Sequence, residues 1–424
     1  MPETTTKHKQ YPFYYGWVII GVIFISSTAT GGIGSCVQSV FFEPMRLALG
    51  LNALTMSAVA SLRTLTMAII APIVGPLADR NNGARIAMPF GSLVGGLSLI
   101  VMFLVTNSWQ LFLALGFIFG IAQAFLGGQV MTPVIVAKWF VQKRGRAMAI
   151  AAMGISMGCV VMTPVSQWLV NSFGWRHAWV ILGIFMLSVL TPLTGLLIRR
   201  QPEDLGLLPD GRNAANINTD QTSFQNDAEK SYQLKEIIRT PSPWILASVQ
   251  MLVSLSASSV LLHQIPYLLN KGFGTEIAAL YVTVFASFSL IGKPFYGYFS
   301  ERVSPKHLSI SAFAGAFIGL TILVQSTNLQ GIFIAGAIYG LNFGSFVVLM
   351  NILWANYFGR KYLGSIRGFF APVGLSAGVV GPLIGGGLAD KYGSYDPAFN
   401  FYAACWLIAL VLMLFSKPPK KKLL

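Results

Sequence analysis

Twelve apolar stretches of roughly 20 residues, each nearly free of charge, alternate along the chain with short polar segments. They lie near 16–41, 54–78, 86–106, 110–137, 147–172, 177–198, 243–269, 277–300, 307–326, 330–357, 367–389 and 398–416. At 1.5 Å per residue each is long enough to cross about 30 Å of hydrocarbon as a helix, with every backbone polar group satisfied internally. The pattern therefore predicts an all-α membrane protein with twelve transmembrane helices. One long polar segment interrupts it, residues 199–242, rich in Asn, Asp, Gln and Thr. It separates an N-terminal six-helix bundle at 1–198 from a C-terminal one at 243–424 that ends in a basic tail. Within it, 210–228 reads as disordered. Leu234, Ile237 and Ile238 fall at helical spacing, predicting a short helix at 232–239 on the membrane surface.

The two halves repeat each other. Pro72-x-x-Gly75-x-x-x-Asp79-Arg80 is answered 222 positions later by Pro294-x-x-Gly297-x-x-x-Glu301-Arg302. Phe119-Gly120 is answered by Tyr339-Gly340, Trp139-Phe140 by Tyr357-Phe358, Gly154-x-x-x-Gly158 by Gly374-x-x-x-Gly378, and Phe173-Gly174 by Tyr392-Gly393. Duplicated membrane halves are the architecture of secondary transporters, whose site lies between the repeats. Glycines four residues apart let helices approach closely, which serves rocking bundles and ordinary tight packing alike.

Composition agrees: 54% of the residues are apolar and only 10% charged, against about 25% charged in soluble domains. The net charge of +15 would suggest nucleic acid in a soluble protein. Its distribution points elsewhere. With both termini inside, the inner flanks and loops hold 23 of the 29 Lys and Arg residues, and the outer loops hold four: Arg46, Arg176, Lys271 and Lys391. That asymmetry predicts cytoplasmic termini, with the bilayer as partner, a bacterial inner (plasma) membrane as the expected location, and no nucleic acid. Lys417-Pro-Pro-Lys-Lys-Lys reads as a topology and anionic-lipid anchor. The first apolar run is too long for a signal peptide. Cys36, Cys159 and Cys405 fall inside spans and read as unpaired packing residues. No nucleotide-binding loop, embedded carboxylate pair, metal cluster or nucleophile motif is present, so neither enzyme, cofactor nor metal is expected.

Gly75-Pro-Leu-Ala-Asp-Arg80, followed by Gly83-x-Arg85, resembles the loop between spans two and three of the major facilitator superfamily, with one extra residue at Asn81-Asn82. More narrowly, five segments resemble the branch of monocarboxylate porters and oxalate–formate exchangers. They are Tyr15-Gly16-Trp17, Gly174-Trp175-Arg176-His177-Ala178-Trp179, Pro202-Glu203-Asp204-Leu205-Gly206, His263-Gln264-Ile265-Pro266-Tyr267 and Gly292-Lys293-Pro294. The resemblance implies alternating access by two six-helix bundles, and it places Asp79, Arg80 and Arg85 in a cytoplasmic gate. Glu301-Arg302 is then the mirror-image gate, with Arg144 and Arg367, which open spans five and eleven, as candidate partners or as simple positive flanks.

Only Arg63 and Lys293 among the basic residues sit well inside a span, and no Asp or Glu does. A cation at that depth costs at least about 2.5–3.5 kcal/mol, so it needs a partner or a wet cavity. Lys293 lies eight residues from Glu301, roughly 12 Å from the inner surface and close to the midplane. The missing counter-charge is read as the substrate, an anion and most simply a carboxylate; a lysine snorkelling inward is the alternative. The branch carries Arg at the Lys293 position and in many members an Asp at that of Ser289. Proton coupling here would therefore need His263, Lys293 or the substrate's own carboxyl. Arg63, roughly 24 Å from the inner surface, either draws an anion from outside or snorkels outward. His263, before Pro266 near the outer end of span seven, is a site or gate candidate by its family position. Gln38, Gln129, Asn342 and Tyr339 complete the candidate substrate-binding set; Gln129 stands where the branch often has a Tyr that touches the carboxylate. Gln123 and Asn351 are further polar residues at depth.

The expected function is a monomeric secondary active or facilitative transporter of a small organic anion, of the lactate, pyruvate or formate type, worked around Lys293, with protons as a further candidate partner. A dicarboxylate exchanger, a drug exporter of the same fold and a non-transporting receptor are the rivals.

Overall fold

The apolar runs become helices, and no strand occurs among the described residues of the computed structural model: 14–51, 53–126, 129–211 and 231–419. We number the helices α1 (Tyr15–Gly34), continued by Val37–Ala48; α2 (Thr55–Asp79); α3 (Gly83–Leu104); α4, in the stretches 108–126 and Met131–Trp139; α5 (Arg144–Leu197); α6 (Pro241–Asn270); α7 (Glu276–Phe299); α8 (Pro305–Gln325); α9 (Leu329–Phe358); α10 (Leu363–Tyr392); and α11 (Asp396–Phe415). Eleven are long and apolar enough to span a membrane. The twelfth crossing is inside α5, whose 54 residues are about 80 Å of helix, far more than one bilayer needs. Gly174 breaks it at φ 76°, ψ 162°, a conformation essentially confined to glycine, so that two arms run in opposite directions as spans five and six.

Exposed apolar side chains ring the helices (Ile69, Leu104, Leu47 and Phe415 are each more than 60% exposed), as a protein solvated by lipid requires. Inside, two hydrophobic cores form. One is continuous through both halves and includes Ile19, Val74, Trp139 and Met148 together with Val249, Trp354 and Ile366. The other, with Phe41, Met45, Leu115 and Trp179, draws only on residues before the linker. The halves are therefore fused by packing at one end, which carries the described chain termini and the linker. They part at the other. We call these the terminal end and the far end.

The start of the linker is ordered, contrary to the disorder expected from residue 210. The Asp210 carboxylate accepts the backbone N–H groups of Val141, Gln142 and Lys143 at 2.8–3.1 Å. Tyr14 donates its hydroxyl to the Trp139 carbonyl beside it (2.8 Å). Burial, and after it the charge of Asp210, push that hydroxyl above the ordinary tyrosine range. The remainder of the disorder expectation, 212–228, lies outside the described residues. So does the tail beyond 419. The expected surface helix shrinks to a single turn, Leu234–Ile237, whose Ile237 is fully buried against protein, and Tyr232 N–H is tied to the Phe358 carbonyl at 3.2 Å. The cysteine expectation fails at Cys159, which is disulfide-bonded, and holds at Cys405, which is free and buried. The Cys36 side chain is outside the described set.

Candidate functional site

At the terminal end the repeated motif closes the molecule twice. Asp79 ends α2, where four donors converge on its carboxylate: the backbone N–H groups of Gly364 (3.1 Å) and Ser365 (2.8 Å), the Ser365 hydroxyl (2.9 Å) and Lys138 Nζ (3.2 Å). The first three belong to the opening turn of α10, in the other half. An anion there satisfies orphan N–H groups and the positive end of the helix dipole together. Glu301, just past α7, does the same for the first arm of α5, accepting Arg146 N–H (3.0 Å) and Nε (2.9 Å). Sequence repetition has become a pair of pseudo-symmetric clasps.

Glycines permit the close approach. A Cβ on Gly368 would fall 2.6 Å from the Ala71 carbonyl and 2.7 Å from Gly75 Cα; one on Gly297 would meet Ala149 Cβ at 2.6 Å and the Gly145 carbonyl at 2.8 Å. The crossings α2 on α10 and α7 on α5 are thus backbone against backbone, and the motif glycines Gly75 and Gly297 sit at their centres. Gly154 and Gly158 instead pack against α1 within the first half.

Arg144 and Arg367 do reach across, though not to the clasp carboxylates. Arg144 Nη1 donates to Asn356 Oδ1, and Arg367 Nη2 to the Gln129 carbonyl at 2.8 Å. Arg80 and Arg302 are exposed, Arg302 lying over its own half's Tyr298, and Arg85 donates to the Gly195 carbonyl of its own half (3.3 Å). Lys138, Arg146, Asn356, Ser365 and Arg360, which pairs with Glu203 at 2.8 Å and with the Lys138 carbonyl at 3.2 Å, were not singled out by the sequence. Lys138 and Asn356 had a signal: each immediately precedes an aromatic pair of the repeat.

At the far end the halves diverge around a cavity of about 450 Å³, lined by the continuation of α1, α2, α4, the second arm of α5, α6 and α10. Arg63 and Gln38 both line it. Arg63 is 9% exposed, and its Nε and Nη1 have no hydrogen-bond partner among the described residues. His263 stands beside Leu262 of the lining and holds the carbonyl of Pro382, on the neighbouring helix α10 of the same half, at 3.1 Å from Nε2. A carbonyl only accepts, so that nitrogen carries the proton.

Lys293 lies apart from this cavity's lining, on α7 where it faces the first arm of α5. It is 7% exposed and donates to the Ser156 hydroxyl across the interface, with no carboxylate in ion-pair reach among the described residues. The other candidates are used structurally. Asn342 accepts from Tyr296 (2.6 Å) and donates to the Ile338 carbonyl (2.7 Å). Tyr339 is fully buried among Phe285, Phe343 and Trp406. Gln129 is exposed and lines a small pocket with Gln250, Trp354 and Arg367, and its carbonyl accepts from Arg367.

Comparison with known proteins fits this geometry. The sequence profile described as Major Facilitator Superfamily matches residues 19–281 and 246–424. Monocarboxylate transporter 12-B of Danio rerio is 27% identical over 420 residues, 95% of this chain and 87% of the relative. Monocarboxylate transporter 2 of Homo sapiens is 24% identical over the whole chain and 90% of its own length. A crystal structure of a Major Facilitator Superfamily transporter, FucP, in the outward conformation superposes with a TM-score of 0.69 at 15% identity, covering 95% of this chain and all of the other.

Proposed function

The chain belongs to the Major Facilitator Superfamily, a family of transporters and not enzymes, and from that premise we propose that it carries a small organic anion, most simply a monocarboxylate, by alternating access around Lys293. The observation that carries this reading is Lys293 itself. It is a nine-tenths buried cation between the two halves, six residues inside the terminal end of α7, whose hydrogen bond is to the neutral Ser156 hydroxyl and not to an acid. Desolvating an ammonium without a counter-ion is costly, and an anionic substrate supplies the missing charge at the place where both halves can respond to it. The relatives' printed names support the monocarboxylate class. Lys holds a carboxylate as a point charge, without the bidentate geometry of Arg, so selectivity would come from the surrounding shape.

The cycle follows from the clasps. With the terminal end closed and the far end parted, an anion reaches Lys293 from the far side. Exposing it on the other side requires the Asp79 and Glu301 clasps to open as the far end closes, a two-state rearrangement of interfaces. The distribution of Lys and Arg makes the terminal end cytoplasmic in this reading. Ser289 leaves no acid one turn from Lys293, so proton coupling would run through His263, Lys293 or the substrate.

The test is uptake of labelled lactate, pyruvate, formate and oxalate into liposomes, with and without a pH gradient, for wild type and Lys293→Gln. Saturable monocarboxylate uptake that falls at least about 100-fold in Lys293→Gln is expected, the scale of losing a charge-assisted contact of roughly 3 kcal/mol. Undiminished uptake in the variant would remove Lys293 from the site.

A further inference from the structure

The cavity at the far end is not shaped for a three-carbon acid. Its volume of about 450 Å³ falls in the range that takes drug-sized ligands, about 300–1,000 Å³, and a molecule such as lactate would leave most of it to water. Most of the wall is apolar and built to stay in place. Phe41 stacks on Trp179 with ring centroids 4.0 Å apart, and Trp179 Nε1 is held by Met45 Sδ at 3.3 Å. Leu115 closes the same side. Arg63 lies in this wall with two guanidinium nitrogens buried and unpartnered, and Gln38 adds an amide.

A buried guanidinium with unpartnered donors is expensive for the empty protein, and a turn of the side chain into the cavity would match it to one planar, bidentate acceptor. An aromatic wall beside it is matched to a flat or branched hydrocarbon body. We infer that the far-end cavity is a receiving site for amphipathic organic monoanions, a carboxylate seated on Arg63 with an aromatic or branched apolar body against Phe41, Met45, Leu115 and Trp179. The inference rests on the organic-anion reading and narrows its substrate class. Lys293, outside this lining, then becomes the second station, reached as the halves rearrange.

The experiment is isothermal titration of the full chain in lipid nanodiscs with benzoate, phenylpyruvate, lactate and the neutral benzyl alcohol. Wild type, Arg63→Met and Gly378→Leu are compared, with liposome uptake of lactate measured in parallel. Gly378 lines the cavity, and a Cβ there would meet nothing within 4 Å, so leucine is expected to reduce the volume. Expected are benzoate and phenylpyruvate affinities at least tenfold tighter than lactate or benzyl alcohol. Arg63→Met loses at least tenfold of that affinity while its thermal midpoint without ligand is equal or higher, because the charge it removes had no partner. Gly378→Leu weakens phenylpyruvate more than lactate. Lactate bound as tightly as benzoate, or benzoate binding indifferent to Arg63→Met, overturns the inference and leaves transport at Lys293 standing. Benzyl alcohol bound as well as benzoate overturns the anionic class for this cavity. Absence of both binding and uptake for every carboxylate overturns this inference and the proposed function together.

Discussion

At Asp79 and Glu301 the same motif yields two contacts of unequal weight. The Asp79 carboxylate is 10% exposed and faces Lys138, itself 3% exposed. Removing one partner of such a buried pair typically costs about 3–5 kcal/mol, because the other charge stays buried and uncompensated. Glu301 is paired with Arg146, which is 47% exposed, and pairs screened to that degree are worth about 1 kcal/mol or less. Asp79→Asn is therefore expected to open the terminal end far more than Arg146→Gln. Spin labels on the exposed loop positions Asn81 and Lys361 report it. Asp79→Asn should add a second, longer distance population, and Arg146→Gln should leave the wild-type distribution nearly intact. The acids of the motif were legible in the sequence because two charged residues ended two similar apolar runs. Their partners were not, since a backbone N–H of a distant helix leaves no mark in a sequence and Lys138 looks like any flanking lysine.

The helices were legible as elements because lipid demands about 20 apolar residues and satisfied backbone from each, and both demands are written locally. The boundary between spans five and six is the informative case. Only the short stretch 173–176 separates them, the repeat placed Phe173-Gly174 there, and the turn sits at Gly174 with φ 76°. Gly174→Ala is expected to lower the thermal midpoint in detergent, with a cost of about 1–3 kcal/mol for a side chain in that region of backbone space. An unchanged midpoint would mean that the chain turns by another route. Glycine at Gly75 and Gly297 was visible as pattern, but whether a glycine serves packing inside a half or contact between halves was decided by which helix lies opposite. Gly154 and Gly158 went one way and Gly297 and Gly368 the other.

Across the molecule as a whole the core joins the halves at one end only. Packing is shared between them at the terminal end, while at the far end each half packs within itself, the first around Phe41 and Trp179 and the second around Tyr267 and Phe399, and the cavity opens between them. Rocking between such arrangements predicts reciprocal distances. Labels at the exposed far-end positions Leu47 and Lys391 should draw together when substrate is added, while labels at Asn81 and Lys361 move apart. Movement of one pair without the other would rule out the rigid rocking of two bundles.

The sequence by itself determined the number of crossings, the two-fold repetition, the clasp acids and the two cations embedded in the membrane, because each is imposed by the bilayer on a local run of residues. Only the tertiary structure decided which end is closed, that Asp79 caps a helix of the other half, that Lys293 meets Ser156, and that Arg63 lines an aromatic-walled cavity while Asn342 and Tyr339 are buried within the second half. Those outcomes depend on which faces of distant helices meet, and residues more than a hundred positions apart carry no local record of their neighbours.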